Sequence, residues 1–398
     1  MVRKRIAYGC FYLAVVVEVL IVIVDKSAYI NPFEGRLFQL TFLLFLIKVA
    51  LTKYSWKEYV TIFLFLLLGL VSYFITGRNE IVRLVMLIAA CKDVDMKKCL
   101  KLVFYLTLIG CAAIIMLSVT GIYGTMSLVQ DYGRGHIETR YTLGMGHPNA
   151  LQCMVWALTT LGLYLYGERM KWYSYLLVAV INVGFFLLTD SRTALLVTVL
   201  VMVLAYITKA CNGIFKKTAG ICCMLATLLS VLGSIVIAAN AHRVCTYARY
   251  GMYPWYYKKA GINSTTIFFA KLDSILNGRI RALTENNAFE GTMDTWRLFS
   301  GPESNYYFDM GWIRLFYWYG IIPACIFLAA LLLLMYYCYR KEQYMALVLI
   351  ASFSIYTVIE AHAISVYLAR NYVFFLMGMY WSMILQETEK RQYGSQTS

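Results

Sequence analysis

Long apolar runs recur along nearly the whole chain, separated by short basic or turn-forming segments. These runs constrain the fold more than any other feature. In a lipid layer, backbone N–H and C=O groups find no water and must pair within a helix or a closed barrel. The runs lie at roughly 6–24, 36–52, 59–76, 80–91, 99–119, 147–167, 172–189, 191–208, 218–239, 316–338, 343–360 and 363–386, the fourth being short for a crossing. They do not alternate apolar and polar residues as barrel strands would. The expected fold is therefore all-α. Residues 1–398 form a single integral membrane domain, a polytopic membrane helix bundle of about 12 transmembrane helices with one large extracytoplasmic loop. Charged residues make up only 14% of the chain, where an ordinary soluble domain carries near a quarter, so disorder and a large soluble domain are both excluded.

The formal charge of +15 would indicate nucleic acid in a soluble chain. Here the basic residues concentrate on alternate connections, among them Arg3, Lys4, Arg5, Lys53, Lys57, Lys92, Lys97, Lys98, Lys209, Lys216, Lys217, Arg340 and Lys341. The short connections between those hold only Lys26, Arg36, Arg78, Arg134, Arg140 and Arg192. This asymmetry predicts both termini in the cytoplasm and makes the net charge an orientation signal, with membrane lipids rather than nucleic acid as the surroundings. The 11 cysteines sit mostly in or beside apolar runs and read as small apolar side chains, not as disulfides or zinc ligands. The first run contains Glu18 and lacks a small-residue cleavage site after it, as a retained span does.

Two outer segments are too long to be simple connectors. Residues 121–146 are glycine-rich, and Ser127 to Tyr141 reads as a small hairpin turning at Gly133-Arg134-Gly135. Residues 240–309 form the large loop, about 70 residues that should be folded and functional. Within it, Phe268, Phe269, Leu272, Ile275 and Leu276 recur at helical spacing, predicting an interfacial helix that ends near Gly278. No internal repeat is visible, which weighs against an inverted-repeat transporter, although Glu18, Lys48 and Arg83 fall inside spans.

The chemistry-bearing residues share one side. His136, His147, His242 and His362 all fall on the predicted outer face, as do Arg192, Arg279, Asp309, Glu360 and Arg370. In Thr189-Asp190-Ser191-Arg192-Thr193, a tight turn between spans, Asp190 or Ser191 is placed to cap the next helix. Its N-terminus and the Arg192 fork suit a diphosphate, or Arg192 snorkels to lipid headgroups. Gly146-His147-Pro148-Asn149 opens the sixth span. His147 and Asn149 offer hydrogen bonds to sugar or phosphate, or simply start a helix with Asn149 as its cap. Asn277-Gly278-Arg279-Ile280-Arg281 places Arg279 and Arg281 near the membrane surface, for substrate or for lipid headgroups. Glu360 is the clearest candidate general base, with a structural Glu360–Arg370 ion pair as the competing reading. Asp309 closes the large loop, to bind sugar or cap a helix. The aromatics Tyr253, Trp255, Tyr256, Tyr257 and Trp296 can stack on sugar rings or form an interfacial belt. No P-loop, dinucleotide fingerprint or nucleophile elbow is present.

Taken together, Gly-His-Pro-Asn at 146–149, Asp-Ser-Arg-Thr-Ala at 190–194, Leu276-Asn277-Gly278-Arg279, the Asp309 segment and Tyr319-Gly320 resemble the Wzy-type polysaccharide polymerases, within the wider O-antigen polymerase and ligase family. The resemblance covers about residues 80 to 380. One departure stands out: Ser304-Asn305 occupies the place where ligases and many relatives carry His-Asn, which points to His362, Glu360 or Asp309 as base. The resemblance implies an inverting, metal-independent glycosyl transfer without cofactor at the bacterial cell membrane. A polyprenyl-diphosphate-linked oligosaccharide would pass to a lipid-linked repeat unit on the outer leaflet, with a flippase and a chain-length regulator as partners. Arg192, Arg279, Arg370 and Ser191 would bind diphosphate, and His147, Asn149 and Arg281 the rest of the substrate. A ligase for the same glycan, or a flippase or transporter of lipid-linked oligosaccharides, is the alternative.

Overall fold

The computed structural model describes residues 2–131, 137–287 and 291–394. Its helices are α1 (Val2–Lys26), α2 (Glu34–Ala50), α3 (Trp56–Thr76), α4 (Glu80–Ala90), α5 (Met96–Val119), α6 (Pro148–Tyr166), α7 (Trp172–Thr189), α8 (Arg192–Ala210) and α9 (Ile214–Tyr250). After them come α10 (Tyr257–Ala260), α11 (Ser264–Ile275), α12 (Gly311–Tyr319), α13 (Ile321–Arg340), α14 (Tyr344–Tyr356) and α15 (Val373–Gly394). Among the described residues, 7 helices (α1, α3, α5, α7, α8, α9 and α13) are long and apolar enough to cross a membrane. The one sheet among the described residues is an antiparallel pair of β1 (Ser127–Asp131) and β2 (Ile137–Tyr141), with Val129 opposite Thr139. The expected turn at Gly133-Arg134-Gly135, and His136, lie outside the described residues.

The first nine apolar runs each fold as one helix, α1 to α9, for local reasons. Ser55 and Glu58 form a reciprocal capping box at the start of α3, and Gly77, at φ 74°, closes it. The structure corrects the later boundaries. Helix α9 runs on to Tyr250, about three turns past its expected end. This extension adds Ala241 and Val244 to Ala238 in a second apolar core shared with Phe269, Ile280 and Leu283, so the long segment that follows packs against α9. The run at 316–338 breaks at Gly320, where φ is 98° and a Cβ would sit 2.7 Å from the Leu298 carbonyl oxygen. There the carbonyls of Arg297 and Leu298 accept from Ile321 N (2.8 Å) and Ile322 N (3.0 Å), capping α13 from the chain before α12.

Helix α14 lies at the centre of the bundle, packed against α6, α8, α9 and α13, and all of its residues except Ile355 are buried. Polar contacts fix its neighbours: Trp156 Nε1 donates to Ser352 Oγ (2.9 Å) and Trp312 Nε1 to the Ser354 carbonyl (2.9 Å). Its 13 residues rise about 20 Å, short of a hydrocarbon core of about 30 Å. The expected helices at 343–360 and 363–386 instead stop at Tyr356 and resume at Val373. Residues 357–372 are mostly irregular and largely buried. Irregular backbone inside a bundle needs partners for its carbonyls, and they come from a distant side chain, from a side chain of the segment itself and from a backbone amide of α12. Arg83 donates to Val366 O (2.8 Å), Asn371 Nδ2 to His362 O (2.8 Å), and Gly311 N to Thr357 O (2.9 Å).

The charges within spans thus have structural roles. Arg83 also pairs with Glu18 at 3.1 Å, under the Phe38 ring, and Thr41 donates to the same Glu18 oxygen at 2.6 Å. Lys48 donates to Thr52 Oγ1 (2.8 Å) and the Lys92 carbonyl (3.0 Å). Removing one member of a buried pair leaves the other charge uncompensated. Glu18→Ala is expected to cost about 3–5 kcal/mol, read as a lower thermal unfolding midpoint in detergent. An unchanged midpoint would show that Arg83 does not depend on this carboxylate.

Candidate functional site

The turn after α11 carries Arg279. Asn277 (φ 53°) and Gly278 (φ 78°) are both left-handed, a reversal that ends the helix, and Gly278 N donates to the Asp273 carbonyl at 2.9 Å. The Asp273 carboxylate, buried, accepts from Ile280 N (2.8 Å) and Arg281 N (3.0 Å) and so locks the turn. Held there, Arg279 reaches two acids from distant parts of the chain. Its Nη2 lies 3.2 Å from Glu360 Oε1, its Nε lies 3.8 Å from Asp309 Oδ2, and its side chain is only 13% exposed.

The α7–α8 turn forms the opposite wall. Asp190 adopts φ 48°, and its carboxylate meets Arg192 Nε at 3.4 Å and Arg140 Nη2 at 3.6 Å. Ser191 occupies the N-cap position of α8 but makes no side-chain cap bond, contrary to the expected capping role. Arg140, from β2, also binds Glu138 through Nε at 2.9 Å. At the third wall, Gly146 N donates to the Lys26 carbonyl (2.9 Å), tying the start of α6 to the end of α1. His147, not Asn149, is the cap: its Nδ1 accepts from Asn149 N at 3.1 Å. A capping Nδ1 carries no proton, which leaves Nε2–H as the donor. Burial, and then the nearby Arg140 guanidinium, hold the His147 pKa below the ordinary imidazole value and favour that neutral form.

These walls enclose a cavity of about 340 Å³, lined by Arg140, His147, Asn149, Ser191, Arg192, Arg279 and Asp309, with Gln130 and Asp131 of the hairpin. Of the residues singled out from the sequence, His147, Asn149, Ser191, Arg192, Arg279 and Asp309 therefore converge. Glu360 stands behind Arg279, at its ion pair, in the irregular segment beyond α14. Burial, then the neighbouring Asp309 carboxylate, push its pKa above the ordinary carboxylate value, while Arg279 pulls it down. The ion partner of Glu360 is Arg279 rather than Arg370. Arg370 lies deeper, lining a separate small hollow with Lys26, Cys153 and His362. His362 is 1% exposed, stacked on Tyr356 at 5.2 Å, with Nε2 facing Cys153 Sγ at 3.5 Å. Burial, then Arg370, hold its pKa well below the ordinary imidazole value. Arg281 is exposed and does not line the cavity, and His242 lies exposed on α9. Trp296 stacks face to face on Phe316 at 4.6 Å, an internal contact.

Sequence reasoning assigned no site role to Arg140, Asp273 or Gly311. A Cβ at Gly311 would lie 2.5 Å from the Glu360 carbonyl oxygen, so only glycine lets this helix start pack under Glu360. Asp273 carries no standard turn signature, since its partners lie seven and eight residues on, and the other two depend on contacts far apart in sequence. Chemically, the cavity offers guanidinium forks to a multiply charged anion and amide and carboxylate groups to hydroxyls, with a carboxyl of raised proton affinity behind it. No family model, curated protein or solved structure matches this chain. Asp273→Ala would strip two backbone donors of their acceptor, with a cost of about 2–4 kcal/mol. Hydrogen exchange should then speed up at Ile280 and Arg281. Unaltered exchange at those amides would mean the turn holds itself.

Proposed function

We propose that this protein is a membrane glycosyltransferase that polymerises lipid-linked glycan repeat units, using a polyprenyl-diphosphate donor. The observation that carries this reading is the convergence of Arg140, Arg192, Arg279 and His147 on one cavity bordered by acids. A diphosphate leaving group needs cations where its charge develops, and the acceptor hydroxyl needs a base. In the transfer, the acceptor oxygen attacks the anomeric carbon of the donor sugar. The bond from that carbon to the phosphate oxygen breaks, its electron pair leaves with the diphosphate toward Arg192 and Arg279, and the hydroxyl proton passes to Glu360. Asp309 on the cavity wall holds the acceptor sugar. The seclusion of His362 in its aromatic stack favours Glu360 over it as base. The absence of any nucleotide-binding motif accords with a donor that carries its own driving force.

In this reading α2, α4, α6, α14 and α15 join the seven long helices to make about twelve crossings, the short α4 and α14 being extended by the chain beside them, with the cavity toward the outer leaflet of a bacterial plasma membrane and both termini inside. Arg281 and Arg370 would contact the substrate only at its periphery: the first from the surface, the second from below Glu360.

Purified protein given lipid-linked repeat units should lengthen them without ATP or an ion gradient. Transfer of a glycan to a terminal acceptor only would identify a ligase, and movement across vesicles without chain growth a carrier. Arg192→Ala and Arg279→Ala should each reduce chain growth about 100-fold or more at unchanged membrane abundance. Full-length polymer from both would reject them as diphosphate ligands. The rate should also fall as pH drops through the Glu360 pKa, an acidic limb lying above the ordinary carboxylate range. Glu360→Gln should abolish growth at every pH; a limb that persists in an active Glu360→Gln enzyme would place the base elsewhere.

A further inference from the structure

The acid assigned as base is not itself on the cavity surface. Arg279 and Asp309 line the cavity, and Glu360 does not line it but pairs with Arg279, whose Nη2 it holds at 3.2 Å. The guanidinium thus links the base to the cavity as its counter-ion. The other arginines are arranged in the same way, since Arg192 and Arg140 both meet Asp190. The cavity's guanidiniums are paired with the protein's own carboxylates, and an entering anion must compete with them for each one.

We propose that Arg279 exchanges anions: it binds Glu360 when the cavity is empty and the donor diphosphate when it is filled, so that donor binding uncovers Glu360 as proton acceptor. The inference rests on the diphosphate reading above and adds a coupling between donor binding and base activation. The geometry supports a short exchange. Arg279 is anchored at its backbone by the Asp273-locked turn, while among the described residues its guanidinium meets the Leu276 carbonyl, Asp309 and Glu360. Turning the fork toward the cavity breaks the Glu360 contact without moving the turn. The groups acting on Glu360 are Arg279 from this turn, Asp309 before α12, Arg370 before α15 and Lys26 at the end of α1. Of these, Arg279 is the cation that contacts it directly, so its departure favours the protonated carboxyl, which is the state reached when the acceptor proton arrives. Before the donor binds, the ion pair keeps the base occupied and away from water or a stray hydroxyl.

Isothermal titration of inorganic pyrophosphate into the purified full-length protein tests the exchange. E360Q removes the competing carboxylate and should bind pyrophosphate about five- to tenfold tighter than wild type. On the acidic side of the activity optimum, wild type should take up more protons on binding than E360Q, read from heats in two buffers of different ionisation enthalpy, while at the optimum Glu360 stays ionised to receive the acceptor proton. In an Arg279→Ala background, E360Q should change nothing further. If E360Q is not monodisperse, Glu360→Asp, with a side chain too short to hold Arg279, should show the same tightening. Equal affinity and equal proton uptake in wild type and E360Q, in a protein that still extends glycan chains, would overturn the exchange alone. No pyrophosphate binding to either protein would overturn the diphosphate reading and the exchange with it.

Discussion

One guanidinium holds the site together. Arg279 lies on the turn after α11, Asp309 just before α12, and Glu360 beyond α14, so its two ion pairs join three segments that no local interaction would bring together. Each contact depends on the others. The turn is rigid because Asp273 binds two of its backbone amides, and Glu360 is in reach because Gly311 lets the start of α12 press against the Glu360 backbone. A partly buried arginine with two carboxylate partners is costly to leave half-satisfied, so Arg279 leaves one acid only when another anion takes its place.

The same principle operates deeper in the bundle. The irregular stretch at 357–372 exposes carbonyls where a helix would have used them internally, and Arg83, Asn371 and Gly311 accept the task. Arg83 in turn needs Glu18, and Glu18 is supported by Thr41. A buried charge that looks like a transport site in the linear sequence thus serves to hold a broken helix open in the segment that carries Glu360 and His362. Polar contacts of this kind also seat α14 at the centre, where an entirely apolar helix would have many ways to pack.

Much of this was legible in the chain. Helices α1 to α9 follow from run length and capping signals such as Ser55 with Glu58, since a helix satisfies its own backbone and needs little from its neighbours. The hairpin strands and the helix at Ser264–Ile275 follow from turn residues and spacing. The cavity residues His147, Arg192, Arg279 and Asp309 were legible as polar residues grouped on one side of apolar runs. Arg140 was not, because nothing in its neighbourhood distinguishes it until Asp190 stands beside it. The identity of the α6 cap, His147 rather than Asn149, turned on a ring orientation that sequence does not specify.

By itself, the sequence determined that the chain is a bundle of apolar helices and which ends of those helices carry its ionisable groups, because hydropathy and capping act over one or two helical turns. Only the tertiary structure decided where helices break without a proline, as after Tyr356, and which acid each arginine meets. Both are settled by partners scores to hundreds of residues away, as Arg83 with Val366 and Arg279 with Glu360 are. The energy of a buried hydrogen bond or ion pair exists only once both halves have left water together.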